Sequence, residues 1–137
     1  MISISTSKRD FETLAVQLRE LDDLCFPEDE VHEFGKEDII VTARSAGALV
    51  GYLTILHDGF VARVGVHPAW RGRGLQRRMI KRGVRLARNL GVECIETYTL
   101  HNPEGCLSAV NFVLCGFQID AKQRDYLTLT YQGELHV

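Results

Sequence analysis

The sequence predicts an α/β fold with a mixed sheet of about seven strands and about four helices. Three observations carry this. The 137 residues are 45% hydrophobic and 25% charged, the balance of an ordered globular chain, and the length suits one domain spanning 1–137. Strand-like runs alternate with amphipathic helical runs along the chain. Residues 39–67 hold three strand-like runs joined by short turn signals, an antiparallel meander.

Residues 2–5 alternate apolar and polar and predict a first strand. From Lys8 to Leu24, Phe11, Leu14, Ala15, Leu18 and Leu21 recur at helical spacing, with Thr6 or Ser7 as the expected cap. Phe26-Pro27 ends that helix, because proline disfavours helix at the residue before it. The acidic stretch 28–38 reads as a loop with a short helix. Ile39–Arg44 is rich in β-branched residues, Ser45-Ala46-Gly47 is a turn, and Ala48–Leu56 is the next strand. Asp58-Gly59 is a hairpin signal leading into Phe60–His67. The clearest helix runs from Leu75 to Leu90, with Leu75, Met79, Gly83, Leu86, Ala87 and Leu90 on one face and Gly91 as its stop. Gly83 costs about 1 kcal/mol against alanine in a helix interior, which points to close packing on the sheet. Cys94–Leu100 reads as a buried strand and Ser108–Cys115 as a short helix. Phe117–Asp120 and Tyr126–Tyr131 read as a final strand pair.

No apolar run reaches the ~20 residues that span a bilayer. The start, Met1-Ile2-Ser3-Ile4-Ser5, reads as a strand rather than an export signal, so the expected location is the cytoplasm, away from membranes. Cys25, Cys94, Cys106 and Cys115 form no C-x-x-C pair, and the histidines show no zinc spacing, so neither a disulfide nor a metal is expected. The net charge of −2 conceals segregation. Nine of the 16 basic residues fall in 63–88 with no acidic residue among them, and nine of the 18 acidic residues fall in 20–38 against Lys36 alone.

The stretch Arg71-Gly72-Arg73-Gly74-Leu75-Gln76 joins the third meander strand to the clearest helix. Strand, glycine turn and helix N-terminus in that order make an anion cradle. Glycine admits close backbone approach, the first helical N–H groups lack internal partners, and the helix dipole favours negative charge. A dinucleotide turn is disfavoured, since Arg77 stands where G-x-G-x-x-G needs its third glycine and the meander does not suit a doubly wound sheet.

In that context Val64-x-Val66-x-Pro68-x-x-Arg71-Gly72-x-Gly74-Leu75 resembles the acetyl-CoA motif of the GNAT acetyltransferases. Gln76 stands where the family has glycine or alanine. Ser108–Phe117, closing on Gly116-Phe117, is similar to the family's last helix. Asn102-Pro103 is similar to the pair that opens it, with Glu104–Leu107 read as an added loop. Leu24-Cys25-Phe26-Pro27 echoes the segment after the family's first helix. The resemblance covers nearly the whole chain.

The resemblance implies a largely antiparallel central sheet whose splayed strands form an acetyl-CoA wedge, with the strand bulge expected at Gly65. It implies an acetyl-CoA-dependent N-acetyltransferase acting on a small-molecule or peptide amine, as a monomer or homodimer. Cofactor contacts are assigned to Val64, Val66, Arg71, Gly72, Arg73, Gly74, Leu75, Gln76, Arg77, Asn102 and Asn111. The Val66 N–H is the candidate polarising donor to the thioester carbonyl. Many family members carry an acidic tyrosine on the last helix; Phe112 occupies that position here. Tyr98, His101 and His67 are the replacement acid or base candidates, with Asp58 or a carboxylate from 28–38 as a further base. The acidic stretch would border a cationic acceptor. Two alternatives stand beside this reading: a catalytically silent acyl-CoA-binding module, and an acceptor amine on RNA such as aminoacyl-tRNA, engaged through the basic helix 77–88.

Overall fold

A computed structural model describes residues 1–133; the last four residues of the expected domain lie outside it. Two sheets share the molecule. The first contains β1 (Ile2–Ser5), β2 (Ile39–Ser45), β3 (Ala48–Ile55) and β4 (Val61–Val66) in that spatial order, every pair antiparallel. The second contains β5 (Glu96–Leu100), β6 (Phe117–Lys122) and β7 (Tyr126–Tyr131), with β7 in the middle. The sheets meet where Phe60 bridges Glu96 in parallel and the Glu96 N–H reaches the Gly59 carbonyl at 3.1 Å. One residue on, the Thr97 hydroxyl donates to the Val61 carbonyl at 3.0 Å, and beyond it β4 and β5 form no strand pairing.

Helix α1 (Phe11–Cys25) covers one face of the first sheet, where Leu14, Leu18, Leu21, Ile40 and Tyr52 make a buried cluster. Helix α2 (Leu75–Asn89) covers the opposite face. Its Gly83 lies so close to the sheet that a Cβ there would stand 2.9 Å from Leu53 and 3.1 Å from Ile55, which accounts for glycine in a helix interior. Helix α3 (Pro103–Leu114) packs on the second sheet and on α2, and Ala109, Phe112 and Cys115 join the larger core with Met79 and Leu129. The Ala46-Gly47 turn has both φ angles positive, the geometry of a two-residue hairpin, and Gly91 ends α2 with φ 87°.

Several expectations need correction. Residues 28–38 contain no helix: Arg63 binds one part of the loop, as described below, and the Lys8 ammonium ties its far end to the Lys36 and Asp38 carbonyls at 2.6 and 3.0 Å. The described residues hold three α-helices and one short 3-10 turn, Pro68–Trp70, capped by the His67 imidazole accepting from the Ala69 N–H at 3.0 Å. Neither Thr6 nor Ser7 caps α1, whose N-cap is Asp10 at φ 53° without a side-chain bond; the Ser7 hydroxyl accepts from the Arg9 N–H instead. Glu104–Leu107 belongs to α3, because Asn102 accepts from the Gly105 N–H at 2.8 Å and Pro103 takes the first helical position. Gly105 allows the close fit this requires, since a Cβ there would meet the Leu100 carbonyl. β5 alternates exposed and buried rather than being buried throughout.

The bulge in β4 lies at Ala62, not Gly65. Thr54 faces Arg63 and Ile55 faces Val61, leaving Ala62 unmatched, whereas the register through Gly65 is regular. Gly65 is glycine for a different reason: the Tyr52 ring lies over it, and a Cβ would stand 2.6 Å from that ring.

Tyr52 belongs to a buried polar cluster that fastens α1 to the sheet. Its hydroxyl donates to Asp22 Oδ1, and the Arg63 guanidinium grips both Asp22 oxygens at 2.9 and 3.1 Å. Asp22 is only 3% exposed, so these partners replace water around its charge. Burial, reinforced by the hydrogen bond to Asp22, pushes the Tyr52 phenol far above its ordinary range. Burial alone would weaken the guanidinium charge, but the bonds to Asp22 more than offset that, and Arg63 stays protonated.

Two stability outcomes follow. Gly65→Ala destabilises by about 1–3 kcal/mol in urea unfolding, because the added methyl must displace Tyr52. Arg63→Ala costs about 3–5 kcal/mol by the same measurement, because it strips the main counter-charge from a buried carboxylate.

Candidate functional site

The missing pairing between β4 and β5 opens a cleft of about 1130 Å³. One wall is β4 with the turn into α2; the other is β5 with α3. The His67 N–H bonds the Val50 carbonyl on β3 at 2.8 Å, so strand alternation turns the Val66 N–H to the opposite edge, toward the cleft. Val64 and Val66 pack their side chains against the larger core.

At the end of β4 the chain makes the 3-10 turn and then the glycine turn. Gly72 and Gly74 have φ of 79° and 75°, left-handed values that suit glycine, and Gly74 is the N-cap of α2. No side chain caps that helix, so its first N–H groups and the positive end of its dipole face the cleft mouth. A Cβ on Gly72 would meet nothing within 4 Å, so the space above the turn is open.

The predicted contact residues divide. Val64, Val66, Arg71, Gly72, Gly74, Leu75, Gln76, Arg77, Asn102 and Asn111 line the cleft. Arg73 does not line it; its guanidinium lies 4.5 Å over the Trp70 ring. Arg71 lies along the strand end, its Nε donating to the Val66 carbonyl at 3.0 Å. Gln76 points away from the turn: its amide donates to Ser108 at 3.0 Å and its carbonyl accepts from Asn111 Nδ2, so both residues join α2 to α3. Asn102 spends its carbonyl on the α3 cap.

The acid and base candidates also divide. Tyr98 lines the cleft, 55% exposed, between Phe60 and Tyr126 at ring distances of 5.6 and 5.7 Å. His101 and His67 are not on the lining, nor is Asp58, whose carboxylate accepts from the Phe60 N–H. Phe112 is buried against Phe117 at 5.0 Å and brings no hydroxyl. Of the basic helix face, Arg77 reaches the cleft, while Arg78, Lys81, Arg82 and Arg85 are exposed outside it.

Four further lining side chains were not singled out as site residues from the sequence. Arg63 reaches from β4 to the acidic loop, bonding Asp29 at 3.1 Å and the Glu30 carbonyl at 3.4 Å. Cys25 directs its thiol at the Val66 carbonyl at 3.4 Å, and burial pushes that thiol above its ordinary range. Thr99 holds a buried hydroxyl without a protein partner, and His32 a buried Nε2 likewise. The only advance signals were the Leu24–Pro27 echo for Cys25 and the acidic segment around His32. Glu28, Asp29 and Glu30 line the opposite mouth from the glycine turn. Among the described residues no helix is long and apolar enough to cross a membrane, and no group of three or more His, Cys, Asp or Glu could hold a metal ion.

Comparison with known proteins gives one consistent result. The architecture is similar to the ribosomal-protein-S18-alanine N-acetyltransferase of Escherichia coli, with a TM-score of 0.76 at 11% identity over 100% of this chain and 97% of that one. It is similar to an aminoglycoside 6'-acetyltransferase type Ii, with a TM-score of 0.76 at 19% identity over 93% and 95%. The PaiA N-acetyltransferase of Thermoplasma acidophilum, solved in complex with coenzyme A, superposes with a TM-score of 0.69 at 11% identity over 96% and 98%. A search of curated proteins by sequence returns no match. The model of the Acetyltransferase (GNAT) family matches residues 8–117, which include the β4 strand, the glycine turn and the last helix, and the chain belongs to that family.

Proposed function

We propose that the protein transfers the acetyl group of acetyl-CoA to a primary amine on a cationic acceptor, by direct attack. The observation that carries this is the open β4 edge with an uncapped helix N-terminus at one end and a carboxylate-lined mouth at the other.

The cleft residues fit acetyl-CoA. The left-handed Gly72 and Gly74 and the first N–H groups of α2 suit its pyrophosphate, with Arg71 and Arg77 adding positive charge. The pantetheine arm has amides that can occupy the unpaired edge of β4, and the orphaned Thr99 hydroxyl is a ready partner for one of them. Bound there, acetyl-CoA supplies an activated acyl carbon on a thiol leaving group. The Val66 N–H polarises its carbonyl oxygen, a contribution often worth a few kcal/mol.

Glu28, Asp29 and Glu30 outnumber Arg63 at the far mouth, and Arg63 is already neutralised by Asp22. That wall favours a cation. The acceptor then arrives as an ammonium: an alkyl amine of pKa near 10.4 is only about 0.04% neutral at pH 7. Its proton must leave before attack.

A second reading rests on Phe112: a silent acyl-CoA-binding module needs no acid there. Two measurements decide. Calorimetry gives saturable acetyl-CoA binding, and thiol release with a panel of polyamines, aminoglycosides and peptides gives turnover on at least one amine. Turnover excludes the silent module, and absence of binding at millimolar acetyl-CoA overturns both readings. Gly72→Val weakens acetyl-CoA binding about tenfold, since a β-branched residue relaxes out of the left-handed conformation in the free protein and binding must restore it at roughly 1–2 kcal/mol. Iodoacetamide alkylates exposed Cys94 well before Cys25, and acetyl-CoA slows Cys25 further while leaving Cys94 unchanged, as read by peptide mass mapping.

A further inference from the structure

Asp22 is committed to Arg63 and Tyr52, Phe112 has no hydroxyl, and His101 lies off the cleft. Asp29 is bonded to Arg63, and Tyr98 stands on β5, the wall opposite the acidic loop, between Phe60 and Tyr126. Among the described residues one imidazole lines the cleft, that of His32. It projects from the acidic loop, on the acceptor side, and its ring is set edge-on against Phe34 at 4.7 Å. Phe34 in turn sits edge-on to Tyr52 at 5.7 Å, and two residues before His32 the Glu30 carbonyl is held by Arg63. The loop is therefore anchored to the sheet on both sides of the ring.

Within that anchored frame Nε2 is buried and has no hydrogen-bond partner. A buried polar nitrogen without a partner costs roughly 1–3 kcal/mol. Among the described cleft residues the Thr99 hydroxyl is the other buried side-chain atom without a partner, and of the two only the imidazole nitrogen can take up a proton from an ammonium. We propose that His32 is the general base that takes the proton from the acceptor ammonium, at Nε2 and directly or through one water.

This rests on the acetyl-transfer reading and adds the missing proton step. Neutral His32, with its own proton on Nδ1, accepts one proton from R–NH3+ and becomes imidazolium. The free amine nitrogen then bonds to the acetyl carbon, the carbon–sulfur bond breaks with its electron pair going to sulfur, and the second nitrogen proton passes to the thiolate. His32 returns its proton to solvent, so ammonium plus acetyl-CoA gives N-acetyl amine, CoA thiol and one proton.

The charged groups acting on His32 come from three elements. Burial first, then Arg63 on β4, hold the imidazole below its ordinary value, while Asp22 of α1 and Asp38 beside β2 pull the other way. Glu30 and Glu33 flank it on its own loop, and Tyr52 of β3 stands beyond Phe34. The net result is a neutral imidazole at pH 7, the form a base requires.

The test compares the unaltered protein with His32→Gln and His32→Ala, using the best amine of the panel. The unaltered protein gives a kcat/KM plateau from below pH 6.5 up to the amine pKa. The variants lose about 2500-fold at pH 7 for an amine of pKa near 10.4 and rise tenfold per pH unit to meet the unaltered protein near that pKa, because they use only amine already neutral in solution. Calorimetric acetyl-CoA affinity stays unchanged, and added imidazole restores rate to His32→Ala. A plateau retained in both variants, or a rate loss without imidazole rescue, overturns the base and leaves the acetyl-transfer reading standing. Acetyl-CoA binding by the unaltered protein without turnover on any amine overturns acetyl transfer and the base together.

Discussion

Everything at the site depends on one absence of pairing. β4 and β5 lie side by side and parallel, yet backbone bonding holds them only at Phe60 and Glu96, with the Thr97 hydroxyl adding one more bond to Val61. Backbone groups in a protein interior demand partners, so an inner strand edge left open is costly unless something else fills it. The bulge at Ala62 falls where the strands part and adds twist there. The rest of the molecule holds the opening in place: α2 braces the first sheet, α3 the second, and Gln76 joins the two helices.

Much of this was legible in the sequence because it is local. Turn chemistry at Ala46-Gly47, Asp58-Gly59 and Gly91, and helical periodicity in α2, each depend on a few neighbouring residues. The anion cradle was legible for the same reason, since two glycines and a helix start define it within one short stretch. What failed was whatever depends on distant partners. Gly65 carried a signal that fits either a bulge or a close approach, and only Tyr52, across the sheet, decides between them. Glu104–Leu107 read as a loop added to the family spacing, and the fit of Gly105 that lets it join α3 appears only against the Leu100 carbonyl. Arg63, Thr99 and His32 were invisible as site residues because their meaning lies in what does or does not face them across the cleft.

The charge segregation gains a structural meaning as well. Of the basic block, Arg63 turns inward to neutralise Asp22, Arg73 lies on Trp70, and Arg88 lies over the Tyr131 ring at 5.6 Å. The two charged regions of the sequence therefore do not simply face each other. One arginine crosses between them, and it both completes a buried cluster and holds the acidic loop against the sheet.

The Gln76–Ser108–Asn111 join has an energetic consequence. Gln76 replaces a small residue of the family pattern, and its two polar ends are satisfied by positions more than 30 residues away on another helix. Changing any one of the three strands an amide or hydroxyl in a partly buried seam. The three positions are therefore energetically coupled, and a change at one alters what the other two must satisfy.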